Sequence, residues 1–263
     1  MTTTHRAQAM AGVLVAVLAA PIVAQTRPGA SEQEASPDVP PTVVITGANR
    51  GLGLEFARQF SAAGFEVIGT ARRPDKADDL RSLGVRIEQL DVTDAQSVEQ
   101  FAAAIGDHPV DILINNAGIG GRVLSIKDMD AARVRHIFEV NCLGPMRVTQ
   151  VLLPALRAGD RKLIVNITSM LGSIERNTRG GYYGYRESKA ALNMFTRSLA
   201  AELEPEGFTC IVMNPGWVRT DLGGSQARLS PAESIGAMIT VIDGLTPADT
   251  GAFFSYGGER VPW

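Results

Sequence analysis

The sequence predicts a doubly wound α/β domain, a parallel sheet of about seven strands with helices on both faces. Three observations predict it. Short β-branched and apolar runs recur along the chain, and segments of helical periodicity separate them. The first run, Thr42-Val-Val-Ile-Thr-Gly-Ala-Asn-Arg-Gly-Leu-Gly53, also leads directly into three closely spaced glycines. Alternating strands and helices need crossover connections, and right-handed crossovers cover both faces of a parallel sheet.

In the first strand, Val43, Val44 and Ile45 are β-branched and suit burial, while Leu54, Phe56, Ala57 and Phe60 begin a helical pattern after Gly53. Residues 66–70 read as the second strand and 85–90 as the third. Asp94 or Ser97 opens a helix through Ile105, and 110–114 form the fourth strand. A long helix over 134–156 carries Ile137, Val140, Val148, Val151 and Leu152, and the fifth strand, 163–168, is apolar almost throughout, as a central parallel strand should be. A helix over 183–203, a strand over 209–213, a helix over 231–245 and a short strand over 252–255 complete the pattern. Residues 42–263 therefore read as one domain.

A strand, a glycine turn and a helix N-terminus make an anion site. Glycine admits positive φ and brings bare N–H groups close to a phosphate, and the helix dipole favours negative charge there. Gly47, Gly51 and Gly53 follow Gly-x-x-x-Gly-x-Gly, with no Gly-Lys-Ser/Thr ending, so a nucleoside triphosphatase is disfavoured and a dinucleotide pyrophosphate is the expected guest. The chain has 263 residues, 45% hydrophobic content and a formal net charge of −3, so no basic surface argues for nucleic acid. Small molecules and further copies of the chain are the expected partners.

Residues 1–24 differ in character. His5 and Arg6 precede a run of apolar and small residues ending at Ala24, the pattern of a secretory signal peptide. As a helix the run rises only about 24 Å, short of the roughly 30 Å hydrocarbon core, so a removed leader is expected rather than a membrane span. Residues 25–41, rich in Pro, Ser and Glu, read as a flexible linker. A functional leader implies an exported or periplasmic protein, and otherwise a cytoplasmic one. Cys142 and Cys210 lie in apolar segments and read as buried thiols, and His5, His108 and His136 share no metal-ligand spacing.

Hydride delivery to a carbonyl leaves an alkoxide, so such a site needs a proton donor and a group to hold the oxyanion. Tyr185 and Lys189 lie four apart on a predicted helix and share a face, where an ammonium lowers a phenol's pKa. Tyr182 and Tyr183 are alternatives. Ser169, Thr168 and Ser173 all stand near the carboxyl end of the fifth strand, where open parallel sheets gather ligands. A ribose hydroxyl calls for an acid after the second strand and a 2′-phosphate for arginine. Here Arg72 and Arg73 stand there, with Arg50 in the glycine turn, which favours NADP(H) over NAD(H).

These pieces, together with Asn115-Asn-Ala-Gly118, Asn141, Tyr185-Arg-Glu-Ser-Lys189 and Pro215-Gly216 in this order, resemble the short-chain dehydrogenase/reductase family across the whole globular part. The stretch from Gly181 to Asn193 and the ending to Trp263 resemble its C-factor/sniffer-type carbonyl reductase branch. The resemblance implies a Rossmann fold and an NADP(H)-dependent oxidoreductase acting on a small carbonyl or alcohol. It implies Tyr185 as general acid/base, Lys189 beside it, Ser169 on the substrate carbonyl and Asn141 interrupting the long helix and helping to hold a water of the proton relay. For the cofactor it implies Gly47, Asn49, Arg50, Gly51, Leu52 and Gly53 at the phosphates, and Asp91 and Val92 at the adenine. Asn115, Ala117 and Gly118 are implied at its ribose, with Pro215, Gly216, Val218 and Thr220 at the nicotinamide. Leu171, Tyr182, Trp217 and Leu222 would line an open substrate pocket, a homodimer or homotetramer is expected, and a C-factor-type signalling role without essential catalysis is the alternative. A nucleotide-sugar epimerase is disfavoured, because no added carboxyl-terminal substrate domain is present.

Overall fold

Seven strands, β1 (Thr42–Ile45), β2 (Glu66–Ala71), β3 (Arg86–Gln89), β4 (Ile112–Asn115), β5 (Leu163–Ile167), β6 (Thr209–Asn214) and β7 (Phe253–Ser255), form a single sheet in the order β3-β2-β1-β4-β5-β6-β7. Every neighbouring pair is parallel. The chain therefore builds outward from β1 in one direction and from β4 in the other. The β1/β4 boundary is the switch point, and loops leaving the carboxyl ends there diverge and open a crevice. The computed structural model describes residues 1–2 and 39–263, and Val39–Trp263 forms one compact unit. The expected leader and most of the expected linker lie outside the described residues. Among the described residues no helix is long and apolar enough to cross a membrane.

Alternation along each strand supplies a core on both faces. Val43 and Ile45 join Phe56 and Phe60 of α1 (Gly51–Ala62) and Ile235, Met238 and Ile242 of the helix Pro231–Asp243. Val44 points the other way, into a layer with Phe101 of the helix Ala95–Ile105, Leu152 of the helix Gly144–Ala158 and Leu203 of the helix Tyr185–Leu203. Both sheet faces are thus sealed, as an all-parallel sheet requires. Cys142 and Cys210 are buried free thiols.

Two elements depart from the sequence expectation, and a third is broken where the resemblance places the break. The β2–β3 connection holds only a 3-10 turn at Pro74–Lys76 and a four-residue helix, α2 (Asp78–Arg81), because Pro74 and Gly84 confine it. The helix over residues 134–156 is interrupted around Asn141, as the resemblance implies. It divides into α4 (Ala131–Phe138), a π-helical segment Glu139–Leu143 and α5 (Gly144–Ala158), with α3 (Ala95–Ile105) preceding them. Helix α6 (Tyr185–Leu203) starts at Tyr185 rather than at 183, because Gly184 holds φ at +82° and its N–H donates to Glu187 Oε2 at 2.6 Å. Asp94 rather than Ser97 caps α3, accepting from the Gln96 N–H at 3.1 Å, while Ser97 Oγ accepts from Asp91 N–H.

Candidate active site

A cavity of about 840 Å³ runs across the carboxyl ends of the strands. It falls within the range of small-molecule and cofactor pockets, roughly 300–1,000 Å³. Its wall takes residues from the loop after each of β1 to β6, including Gly47, Arg72, Asp91, Gly118, Thr168 and Pro215.

The glycine turn forms one end. Arg50 stands in extended backbone before α1, no side chain caps that helix, and its first turn carries no acid, so the amide-rich N-terminus faces the cavity. Gly47 and Gly51 hold φ at +65° and +57°. A Cβ on Gly53 would stand 2.3 Å from the Gly47 carbonyl oxygen and 2.6 Å from Asn116 Nδ2, so Gly53 supports the turn from beneath instead of lining the cavity. Asn116 Nδ2 donates to the carbonyls of Thr46 and Gly47, tying the loop after β4 to the turn. These features fit a dinucleotide diphosphate.

Arg50, Arg72 and Arg73 line the same end together with Asn49 and Leu52, joined by Arg58 and Lys76. Arg50 Nη1 donates to Asp221 Oδ2 at 2.5 Å, an exposed pair that reaches across the crevice. Leu90, Asp91, Val92, Thr93, His136 and Val140 form a neighbouring wall. Burial pushes the Asp91 carboxyl up, but the Thr93 N–H and hydroxyl, with Arg72 and His136, outweigh it and hold the group below its ordinary value.

At the other end, Tyr185 and Lys189 both line the cavity. Lys189 is 5% exposed, and its Nζ donates to the Ile167 carbonyl at 2.8 Å. Burial brings its ammonium down to about 8, against the pull of Cys142. Burial also pushes the Tyr185 phenol above its ordinary value, opposed by a hydrogen bond with Ser169. The expectation of a lysine-acidified phenol thus runs the other way in this arrangement, because the ammonium is turned to a carbonyl and desolvation dominates. Ser169 itself is not on the cavity wall, whereas its rival Thr168 is, with its Oγ1 donating to Asn193 Oδ1 at 2.7 Å, and Ser173 Oγ donates to the Pro262 carbonyl at 2.7 Å. Tyr182 lies under the Arg186 guanidinium, and the Tyr183 N–H donates to Val123.

Asn141 is fully buried in the π-helical segment. Its Oδ1 accepts from Ile119 N–H at 2.8 Å, and its Nδ2 donates to Ile119 O and to Ser188 Oγ. It therefore joins the loop after β4 to α6. A Cβ on Gly118 would stand 3.3 Å from Asn141 Oδ1 and 3.7 Å from Lys189 Nζ, which places the two side chains at one glycine.

Several expected positions fall elsewhere. Asn115 faces the protein interior, donating to Thr149 Oγ1 and Asn166 Oδ1, and its Oδ1 has no hydrogen bond; Asn116, Ala117 and Gly118 are the residues of that loop on the cavity wall. Pro215 and Thr220 line the cavity, whereas Gly216, at φ +81°, packs toward Leu229 and Tyr256, and Val218 is buried in a bridge with Leu229. Of the four apolar substrate candidates, Leu222 reaches the wall, and Leu171, Tyr182 and Trp217 stand outside it. Leu222 lies so close to Gly120 that a Cβ there would meet its Cδ1 at 2.1 Å, and Thr220 lies over Gly51. Residues 220–222 therefore strap the crevice from both sides. The sequence reading missed Asn116, Arg58, Lys76, His136 and Asp221. Only the run of basic residues after β2 could have signalled Lys76, since the others depend on long-range contacts.

Among the described residues no group of metal-ligating side chains occurs. The sequence matches the short chain dehydrogenase family over residues 41–229. C-signal of Myxococcus xanthus is 48% identical over 163 residues, covering 62% of this chain and 98% of that protein. The 1-hydroxy-2-glutathionyl-2-methyl-3-butene dehydrogenase of Rhodococcus sp. (strain AD45) is 34% identical over 229 residues, covering 84% of this chain and 99% of that one. Among solved structures, the carbonyl reductase Sniffer of D. melanogaster superposes with a TM-score of 0.81 at 31% identity, covering 86% of this chain and 100% of its own. An NADPH-bound carbonyl reductase from chicken fatty liver gives 0.80 at 33%, covering 85% and 99%. With that match across the crevice-forming sheet, the chain belongs to the short-chain dehydrogenase/reductase family of oxidoreductases, in its C-factor/sniffer-type branch.

Proposed function

We propose that the protein is an NADP(H)-dependent carbonyl reductase that moves a hydride between the nicotinamide and a small carbonyl or alcohol, with Tyr185 as general acid/base. The observation that carries this reading is the single cavity that has arginines and a glycine turn at one end and Tyr185 with Lys189 at the other. When bound, the nicotinamide supplies or accepts the hydride. Arg50, Arg72 and Arg73 hold the 2′-phosphate, the amides of Gly51 and Leu52 hold the diphosphate, and Asp91 and Val92 hold the adenine. NADP-bound relatives support this choice.

Ser169 orients the substrate carbonyl and Tyr185 gives its phenolic proton to the developing alkoxide. A phenol kept above its ordinary pKa is already in the donor form at neutral pH. Lys189 then balances the phenolate that remains, and Asn141 braces the relay that returns a proton to it. Leu222 on the cavity wall favours an apolar or aromatic carbonyl compound.

Absorbance of NADPH and NADH against a panel of aldehydes, ketones and quinones, with para-nitrobenzaldehyde as reference probe, tests the reading. Tyr185→Phe should abolish turnover while leaving NADPH binding intact, and an active Tyr185→Phe enzyme overturns Tyr185's role. A second reading, a nucleotide-binding signalling protein without essential catalysis, draws on the 48% identity to C-signal. It requires biological activity to survive Tyr185→Phe. A homodimer or homotetramer is proposed, tested by light scattering. Export through the leader is proposed as well, tested by cell fractionation and sequencing of the mature amino terminus.

A further inference from the structure

We infer that residues 260–263 form a positioning element that presses the turn carrying Ser169 against α6, so that this tail sets where the Ser169 hydroxyl meets Tyr185. The inference rests on the proposed role of Ser169.

Ser169 opens a 3-10 turn, Met170–Gly172, with its Oγ accepting from Leu171 N–H at 3.1 Å. The far end of the turn closes through Gly172 N–H to Ser169 O at 2.8 Å and Ser173 N–H to Met170 O at 3.2 Å. Ser169 and Ser173 therefore move as one unit. On its inner side the turn is jammed against α6: a Cβ on Gly172 would stand 2.8 Å from Lys189 Cβ, and Asn193 Nδ2 donates to Gly172 O at 3.1 Å. Arg186 Nη1 of α6 also donates to Leu171 O at 3.3 Å, and Met170 N–H donates to Asn214 Oδ1 at 3.1 Å.

The tail supports the turn from the opposite side. Ser173 is 1% exposed, and its single hydroxyl proton is shared between the carbonyls of Pro262 at 2.7 Å and Trp263 at 3.1 Å. The Trp263 carbonyl also accepts from Glu175 N–H at 2.9 Å. The tail is itself anchored to the sheet: Val261 N–H donates to Phe253 O at 2.8 Å, the Trp263 ring lies 5.6 Å from that of Phe253, and the Arg197 guanidinium sits over it at 5.4 Å. Met170 and Trp263 pack on one small apolar cluster of Val212, Phe253 and Val261, separate from the two main cores. Three backbone acceptances and this cluster thus clamp the turn between tail and α6. Without the tail, the Ser173 hydroxyl proton and the Glu175 amide lose their acceptors, Ser173 keeps only the Arg176 N–H donation to its Oγ, and the turn, held from α6 and Asn214 alone, loosens.

A displacement near 1 Å is enough to cost a reaction about a hundredfold. The tested variants are Trp263→Ala, Trp263→Phe and Ser173→Ala in the full chain, each alone and with Ser169→Ala. Hydrogen exchange over residues 168–176 is followed together with NADPH affinity by calorimetry and kcat and KM with para-nitrobenzaldehyde. Trp263→Ala should speed exchange of the Gly172 and Ser173 amides about tenfold or more and lower kcat ten- to a hundredfold, with NADPH affinity kept within about twofold. Trp263→Phe should restore most of both, and the loss should vanish in the Ser169→Ala background. Unchanged exchange overturns the proposal, as does a kcat loss that persists without the Ser169 hydroxyl or tracks lost NADPH binding. If Trp263→Ala does not fold, Ser173→Ala decides by the same measurements. Full activity of Ser169→Ala alone would instead refute the role given to Ser169, and the exchange data would still judge the clamp.

Discussion

Replacing Lys189 with methionine should stabilise the folded protein while it disables the site. The ammonium is buried and its pKa falls from an ordinary 10.5 to about 8. At about 1.4 kcal/mol per pKa unit, that gap corresponds to a cost of about 3 kcal/mol for keeping the charge in the folded state. Methionine fills similar space without charge, but it leaves the Ile167 carbonyl without its donor, a loss of about 1–2 kcal/mol. The net gain near neutral pH is then about 1–2 kcal/mol, or a rise in Tm of about 3–6 °C in a domain of this size. Its pH dependence follows from linkage. Below about 8 both folded and unfolded lysines are charged and the full cost is present. Between about 8 and 10.5 the folded state releases its proton first, so the wild type gains stability as pH rises, and above 10.5 the cost is gone. Denaturant unfolding of both proteins near neutral pH and at about pH 10 should show the variant's advantage shrinking, or reversing through the orphaned carbonyl. A variant less stable than wild type by the same margin at every pH would refute the premise that Lys189 is a destabilising buried cation.

Gly53→Ala should lower stability by about 1–3 kcal/mol and weaken NADPH binding, because its Cβ would meet the Gly47 carbonyl and Asn116; thermal melts and calorimetry check both. Arg72→Glu should weaken NADPH binding by about a hundredfold and leave NADH binding within a few-fold, since a lost charge-assisted pair is worth about 1.5–3 kcal/mol; equal losses for both cofactors would count against Arg72 at the 2′-phosphate. Asp221→Asn should leave the melting temperature unchanged, as an exposed pair does, yet tighten NADPH binding most at low salt by freeing Arg50.

The parts of the fold legible in the sequence are those written in local periodicity. β-branched alternation located the strands, and the spacing of Gly47, Gly51 and Gly53 marked the anion-binding turn before any tertiary contact was known. The interruption of the long helix after Phe138 was not readable from periodicity, because the π-helical segment keeps Val140 and Cys142 buried as a continuous helix would. The choice between Asn115 and Asn116 was equally hidden: Asn115 is the last paired residue of β4, opposite Asn166, and the chain leaves the sheet one residue later. Contacts such as Arg50 with Asp221, or Ser173 with Pro262, join residues 171 and 89 positions apart, and no local pattern encodes them.

One conflict with folding economy remains, and it sits at the proposed chemistry. A buried ammonium with one carbonyl for a partner is costly, and glycines pack beside it: a side chain on Gly118 would press on Asn141 Oδ1 and reach contact with Lys189 Nζ, and one on Gly172 would strike the lysine stem. An apolar residue at 189 with small residues at 118 and 172 would satisfy packing at lower cost. Local rules are broken where a different requirement outweighs stability. Under the proposed mechanism that requirement is a positive charge held in the same cavity wall as Tyr185, whose phenol becomes an anion when it gives up its proton, a service of no value to a domain that merely binds a nucleotide.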